Sequence, residues 1–131
     1  FVSVPLRLEV TPQITDLAQA ANLRCRLDFP VQVEARHLPA AFRHQLFLII
    51  REAVNNIIKH ARATELKLRL TPSPSHLTIE LTDNGTGFDP TTRKGNGLPN
   101  MRTRTQELHG TLEIESTTGT RITVTVPWPK S

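Results

Sequence analysis

Four short segments of this chain alternate apolar and polar residues with a period of two, and that pattern limits the fold class more than any other feature. Leu66, Leu68 and Leu70 share one face of the first segment, and Leu77, Ile79 and Leu81 one face of the second. Near the C-terminus Leu112 and Ile114 do the same, followed by Ile122, Val124 and Val126. Such alternation predicts half-buried strands, each with one covered and one wet face. Thr71-Pro72-Ser73-Pro74-Ser75, between the first two, is a hairpin-type connection.

Helical spacing fills the rest of the chain. Thr11-Pro12 predicts a helix start, a capping hydroxyl followed by proline at the first helical position, with Ile14, Leu17, Ala18 and Ala21 at helical intervals. Leu23 to Phe29 reads as a further strand, closed by Pro30. Pro39 opens the longest helix, which runs to about Ala61, and a third helix runs from about Leu98 to Leu108 with Leu98, Met101 and Leu108 inward. Three helices interleaved with about five strands predict an α/β two-layer sandwich, a mixed, antiparallel-rich sheet with helices packed on one face. The 131 residues suit one domain with one core. Residues 1–38 form its N-terminal part of helix and strands, and residues 39–131 carry the glycine-rich and polar motifs.

Composition narrows the function classes. Hydrophobic residues make up 37% and charged residues 21%, as in a soluble globular domain, and no apolar run approaches the roughly 20 residues that cross a bilayer. Cys25 is the only cysteine, which excludes an internal disulfide and a thiolate zinc cluster and fits a reducing, cytoplasmic compartment. The net charge is +4. The basic residues are scattered, however, and aromatics are only 5% with no tyrosine, so a base-stacking nucleic-acid platform is not expected. The positive balance suits an anionic small ligand or an acidic protein partner. The chain begins at Phe1 rather than Met and carries no signal or transit peptide, which reads as an excised or processed piece of a longer protein.

All six glycines lie between Gly85 and Gly119, four of them in Asp83-Asn84-Gly85-Thr86-Gly87-Phe88 and Gly95-Asn96-Gly97. Glycine is used where backbone must approach a ligand closely or take positive φ. Upstream, the long helix carries a polar stripe. With Glu52 set at zero, Asn56 falls at about 40°, Lys59 at about −20° and Asn55 at about −60°, opposite the apolar set Leu46, Ile50, Ala53, Val54, Ile57 and Ala61. A solvated surface is the ordinary reading of such a stripe. Adjacent asparagines in mid-helix speak for a functional one, because asparagine is a poor residue there.

Asp83 is in phase with Leu77, Ile79 and Leu81, so its carboxylate points to the apolar side and needs a donor to offset desolvation. An adenine amino group is such a donor. Thr120, just after Gly119, is in phase with Ile122, Val124 and Val126. Two inward polar groups beside glycines suggest the floor of a base pocket. Asp83-Asn84-Gly85 is also a common plain turn. Gly95-Asn96-Gly97 stands directly before a helix, where backbone N–H groups and the positive end of the helix dipole make an anion site, although many such joints bind nothing. It is neither a Walker loop nor a dinucleotide fingerprint. Arg102 and Arg104 follow within two turns and either neutralise phosphate or face solvent.

Together, Glu52-x-x-x-Asn56-x-x-Lys59-His60, Asp83-Asn84-Gly85-x-Gly87-Phe88 and Gly95-Asn96-Gly97-Leu98-x-x-Met101 resemble the N, G1 and G2 boxes of the GHKL superfamily, in the right order and spacing. Lys59-His60-Ala61 and Gly-Asn-Gly-Leu-x-x-Met-Arg resemble its sensor histidine kinases most, in particular the short-lid subfamily of nitrate- and membrane-fluidity-type sensors. Only seven residues, Phe88 to Lys94, separate Gly87 from Gly95, and Pro99 is unusual in such a segment.

The resemblance implies a Bergerat fold that binds Mg²⁺ and ATP. Asn56 would ligate the metal, Lys59 would contact phosphate, and Glu52 would orient the metal's water shell or act as a base; these three are the implied catalytic residues. Asn55, His60 and Phe88 would line the nucleotide, and Asp83 would accept a hydrogen bond from the adenine amino group with Thr120 in support. Gly85 and Gly87 would pass close to the base, and Gly95, Asn96, Gly97 and Leu98 would cradle the phosphates. A phosphoacceptor histidine on a dimerising hairpin is missing: His44 lacks the acidic neighbour and basic run of an acceptor, and His37, His76 and His109 read as surface residues. The expectation is therefore a monomeric catalytic domain whose partners are the dimerisation domain of the same homodimeric, cytoplasmic or membrane-anchored kinase and a response-regulator receiver domain. The alternatives are a stand-alone serine-kinase or anti-sigma type of GHKL regulator, and a basic interaction module with a dead pocket.

Overall fold

Leu6, Val10, Ile14 and Ala18 repeat every four residues and are all buried, which makes the first segment a helix with one inward stripe. This helix, α1 (Leu6–Ala20), belongs to a computed structural model that describes residues 6–30, 38–60, 62–85, 98–116 and 119–129, apart from the side chains of Leu8, His60 and Leu98. The helix therefore does not start at Thr11-Pro12. It already runs from Leu6, the first described residue, and Pro12 lies inside it, where its missing N–H removes one hydrogen bond. Burial of Leu6 and Val10, about 1.5–3 kcal/mol per large side chain, outweighs that loss. Asn22 closes the helix in the left-handed region at φ 57°, with Leu23 N–H donating to the Ala18 carbonyl at 2.8 Å.

The elements that follow are β1 (Arg24–Asp28), α2 (Ala40–His60), β2 (Glu65–Pro72), β3 (His76–Asp83), α3 (Leu98–Glu107), β4 (Thr111–Ser116) and β5 (Thr120–Pro127). Pro39 does open α2: its carbonyl accepts from Arg43 N–H at 3.0 Å. Arg43 also ties α2 to α1, donating to the Leu38 carbonyl at 2.9 Å and pairing with Glu9 at 3.4 Å. α3 ends as α1 does, with His109 at φ 61° and Gly110 N–H on the Thr105 carbonyl at 2.9 Å. Glycine is required at that point because a Cβ on Gly110 would stand 2.5 Å from the Thr125 carbonyl oxygen of β5.

The five strands form one mixed sheet in the order β1-β2-β3-β5-β4. β1 and β2 pair in parallel, which needs a crossover, and α2 lies in that connection. The other pairs are antiparallel. In register, Leu66, Leu68 and Leu70 stand beside Asp83, Leu81 and Ile79, and Leu81, Ile79 and Leu77 beside Ile122, Val124 and Val126. These apolar residues are buried against the helical layer, while Lys67, Arg69, Thr78, Glu80, Thr123 and Thr125 lie on the opposite face. The result is the expected α/β two-layer sandwich, with three helices on a five-stranded mixed sheet among the described residues.

Ser73 N–H donates to the His76 carbonyl at 2.8 Å in the β2–β3 hairpin, and Trp128 Nε1–H caps it through the Ser73 carbonyl at 2.8 Å. Cys25 is half-buried in β1, and desolvation pushes its thiol above the ordinary value, so it stays protonated at neutral pH. No helix among the described residues is long and apolar enough to cross a membrane.

Candidate functional site

β3 sends Leu77, Ile79 and Leu81 into the core, and the pleat carries Asp83 in the same direction at the strand's end. Asp83 Oδ1 accepts from Gly85 N–H at 2.7 Å and from Thr120 N–H at 3.4 Å. The first of these bonds is the local turn that Asp-Asn-Gly allows. It uses one oxygen only. Asp83 Oδ2 is buried and has no hydrogen-bond partner among the described residues, a condition that is costly for a carboxylate unless a donor arrives.

Thr120 begins β5, one step beyond the Thr82↔Arg121 pair, and is 2% exposed with its Oγ1 also buried and unpartnered. Gly119 lets the two strands come this close. A Cβ there would overlap the Asp83 carbonyl oxygen, and backbone cannot rotate out of the way as a side chain can. Gly119→Ala is accordingly expected to destabilise the fold by about 1–3 kcal/mol in urea unfolding; an unchanged midpoint would show that this corner is not closed in solution.

On α2, Glu52 and Asn55 are half-buried and Lys59 is exposed. Asn56 is deeper than the helical wheel places it, at 1% exposure, inside the buried face rather than beside it. The wheel treats α2 as packing on one side, whereas α3 also lies against it through buried residues such as Met101 and so widens the covered arc. The Asn56 Nδ2 is buried without a partner. Asn56 and Asp83 thus share one property: a buried polar atom with no hydrogen-bond partner among the described residues.

Arg104 is half-buried and donates from Nη1 to Gln45 Oε1 at 3.2 Å, while Arg102 is exposed. Gln45 stands seven residues before Glu52, on the same line of α2, a spacing that extends the polar stripe to a residue outside the motif. Gly85 is buried beside Asp83. Gly87, Phe88, Gly95, Asn96 and Gly97 lie outside the described residues, as do the side chains of His60 and Leu98. His44, His76 and His109 are exposed.

The donor set fits a nucleotide and its metal. Among the described residues no group of three or more His, Cys, Asp or Glu could hold a metal ion. Mg²⁺ takes oxygen ligands, usually one or two from protein with the rest from water and phosphate, so a single asparagine amide beside a triphosphate is sufficient. The unpartnered Asp83 Oδ2 and Thr120 Oγ1 match an amino group and a bridging water.

A mixed sheet under a layer of helices, a Glu-Asn-Lys stripe on α2 and an inward aspartate at the end of β3 agree with an ATP-binding domain of the GHKL type. Residues 42–130 match the family described as histidine kinase-, DNA gyrase B-, and HSP90-like ATPase, and the chain belongs to that family. It is 36% identical over 97 residues to the signal transduction histidine-protein kinase/phosphatase UhpB of Salmonella typhimurium, covering 73% of this chain and 19% of that protein. It is 34% identical over 121 residues to the sensor protein VraS of Staphylococcus saprophyticus, covering 89% of this chain and 35% of that protein. The chain thus spans about a third or less of the length of these relatives. Its fold matches the histidine kinase domain of a blue-light activated histidine kinase from Erythrobacter litoralis, with a TM-score of 0.81 at 19% identity over 95% of this chain and 62% of that one. It also matches the histidine kinase AdeS of Acinetobacter baumannii, with a TM-score of 0.76 at 17% identity over 95% of this chain and 64% of that one.

Proposed function

We propose that this chain is the catalytic, Mg-ATP-binding domain of a sensor histidine kinase, donating the γ-phosphoryl group to a histidine on a separate dimerisation domain for relay to a response regulator. The observation that carries the reading is the buried, unpartnered Asp83 Oδ2, an acceptor at the end of β3 beside the equally unpartnered Thr120 Oγ1. Asp83 accepts a hydrogen bond from the adenine amino group, supported by Thr120. Asn56 holds the metal through its amide oxygen and Lys59 contacts phosphate. Glu52, half-buried one turn before Asn56, orients water or the attacking group. Asn55, His60, Gly85, Gly87 and Phe88 line the nucleotide, and Gly95, Asn96, Gly97 and Leu98 wrap the phosphates. Bound Mg²⁺ would neutralise charge on the phosphate oxygens; the protein's part in phosphoryl transfer is positioning and charge stabilisation.

The short segment between Gly87 and Gly95 and the Gly-Asn-Gly-Leu-x-x-Met-Arg run support the short-lid subfamily of nitrate- and fluidity-type sensors. The isolated domain acts as a cytoplasmic monomer, and its parent as a homodimer.

The reading is tested by mixing the chain with a dimerisation hairpin that carries a phosphoacceptor histidine, in the presence of Mg²⁺ and γ-labelled ATP. The expected result is an acid-labile, base-stable label on that histidine. Label on a serine of a protein partner, with none on histidine, would overturn it in favour of a serine-kinase or anti-sigma type of regulator.

A further inference from the structure

Asn84 follows Asp83 and, by the alternation of the strand, turns to the exposed side. An exposed asparagine ordinarily bonds to water, but this one bonds to protein through both its amide oxygen and its amide nitrogen. Its Oδ1 accepts from the N–H groups of both Thr64 and Glu65 at 2.9 Å, and its Nδ2 donates to Thr64 Oγ1 at 2.8 Å. Its own N–H reaches the Glu65 carbonyl at 3.4 Å. The Thr64 carbonyl in turn accepts from Arg24 N–H at 2.9 Å. One side chain therefore ties the end of β3 to the start of β2 and, through Thr64, to β1.

The position of this tie matters. Asp83 forms the last pair of the β2–β3 ladder, opposite Leu66, and beyond it the backbone of β3 is held to β2 by the long 3.4 Å bond from Asn84 N–H to the Glu65 carbonyl, which leaves the side chain of Asn84 as the firmer tie. The bond from Gly85 N–H to Asp83 Oδ1 spans Asn84, and the aim of the free Oδ2 follows from how that three-residue turn is held. We propose that Asn84 is a positioning residue for base recognition: by pegging the turn to Thr64 and Glu65 it sets the Asp83 carboxylate toward the exocyclic amino group of the base. The inference rests on the nucleotide reading above.

The test compares Mg-ATP, Mg-ITP (which has a 6-oxo group in place of the 6-amino group) and magnesium tripolyphosphate, which has no base, by calorimetric titration of the full chain. The native chain should prefer ATP to ITP by at least about tenfold, the effect of one hydrogen bond to a charged group. In Asn84→Ala the preference should fall to within about twofold, with tripolyphosphate affinity unchanged. Asn84→Asp keeps acceptors for both backbone N–H groups and should restore most of the preference. Thr64→Val removes only the Nδ2 partner and should lower the preference in the same direction, which keeps the test available if the alanine variant does not fold. A purely structural role would weaken all three ligands alike and leave the ATP-to-ITP ratio unchanged in Asn84→Ala and Thr64→Val; that result overturns the inference alone. A native chain that binds neither nucleotide, or both equally, overturns the base-pocket reading and the inference with it.

Discussion

Asp83→Asn is expected to lower Mg-ATP affinity by about thirty- to hundredfold while leaving stability within about 1 kcal/mol of the native chain. The native Oδ1 is already committed to Gly85 N–H and Thr120 N–H, and an asparagine oxygen takes over both bonds. The amide nitrogen then replaces Oδ2, so a donor faces the adenine amino group, itself a donor. A hydrogen bond to a charged group, about 1.5–3 kcal/mol, is lost and an unmatched contact replaces it. Stability is spared because the substitution removes a buried carboxylate oxygen that had no partner. Titration with a fluorescent ATP analogue checks the affinity and urea unfolding the stability. Affinity within threefold of native, about 0.7 kcal/mol, would remove Asp83 from the base pocket.

Asn56→Ala is expected to abolish the dependence of nucleotide binding on Mg²⁺. In the native chain, chelating the metal should weaken ATP binding by about tenfold or more, since one metal bridge between protein and phosphate is lost. In the variant, chelation should have no further effect, because the amide that joins metal to protein is gone. That non-additivity separates a metal ligand from a residue that only packs. Two opposing terms set the variant's stability. Truncation leaves a small cavity, but it also deletes an Nδ2 that is buried without a partner, and each term is on the order of 1 kcal/mol. The melting temperature should therefore move by no more than a few degrees. A variant that keeps the native response to Mg²⁺ would assign the metal to another residue.

The parts of this fold that were legible in the sequence are those governed by local periodicity. Leu66, Leu68 and Leu70 announce β2 because alternation needs only one strand and one covered face, and the same holds for β3 and β5. The inward aim of Asp83 and Thr120 follows from the same phase. The start of α1 was not legible, because Thr11-Pro12 is a strong local signal while burial of Leu6 and Val10 depends on a helix packed against them. The depth of Asn56 was hidden for a similar reason: a wheel describes one helix, and α3 covers α2 from a distant part of the chain. The partners of Asn84 stand about twenty residues away, and nothing in Asp-Asn-Gly distinguishes a pegged turn from a free one. Gly119 was visible as a glycine beside Thr120, but its contact with the Asp83 backbone exists only once β3 and β5 are paired.

Calorimetric titration of the native chain, Asp83→Asn and Asn56→Ala with ATP, each with and without Mg²⁺, tests the nucleotide site most directly. The native chain should bind ATP at one site, strengthened by Mg²⁺, with Asp83→Asn weak under both conditions and Asn56→Ala indifferent to the metal. A native chain that binds no ATP, or variants that both retain native affinity and native response to Mg²⁺, would contradict this reading of the site.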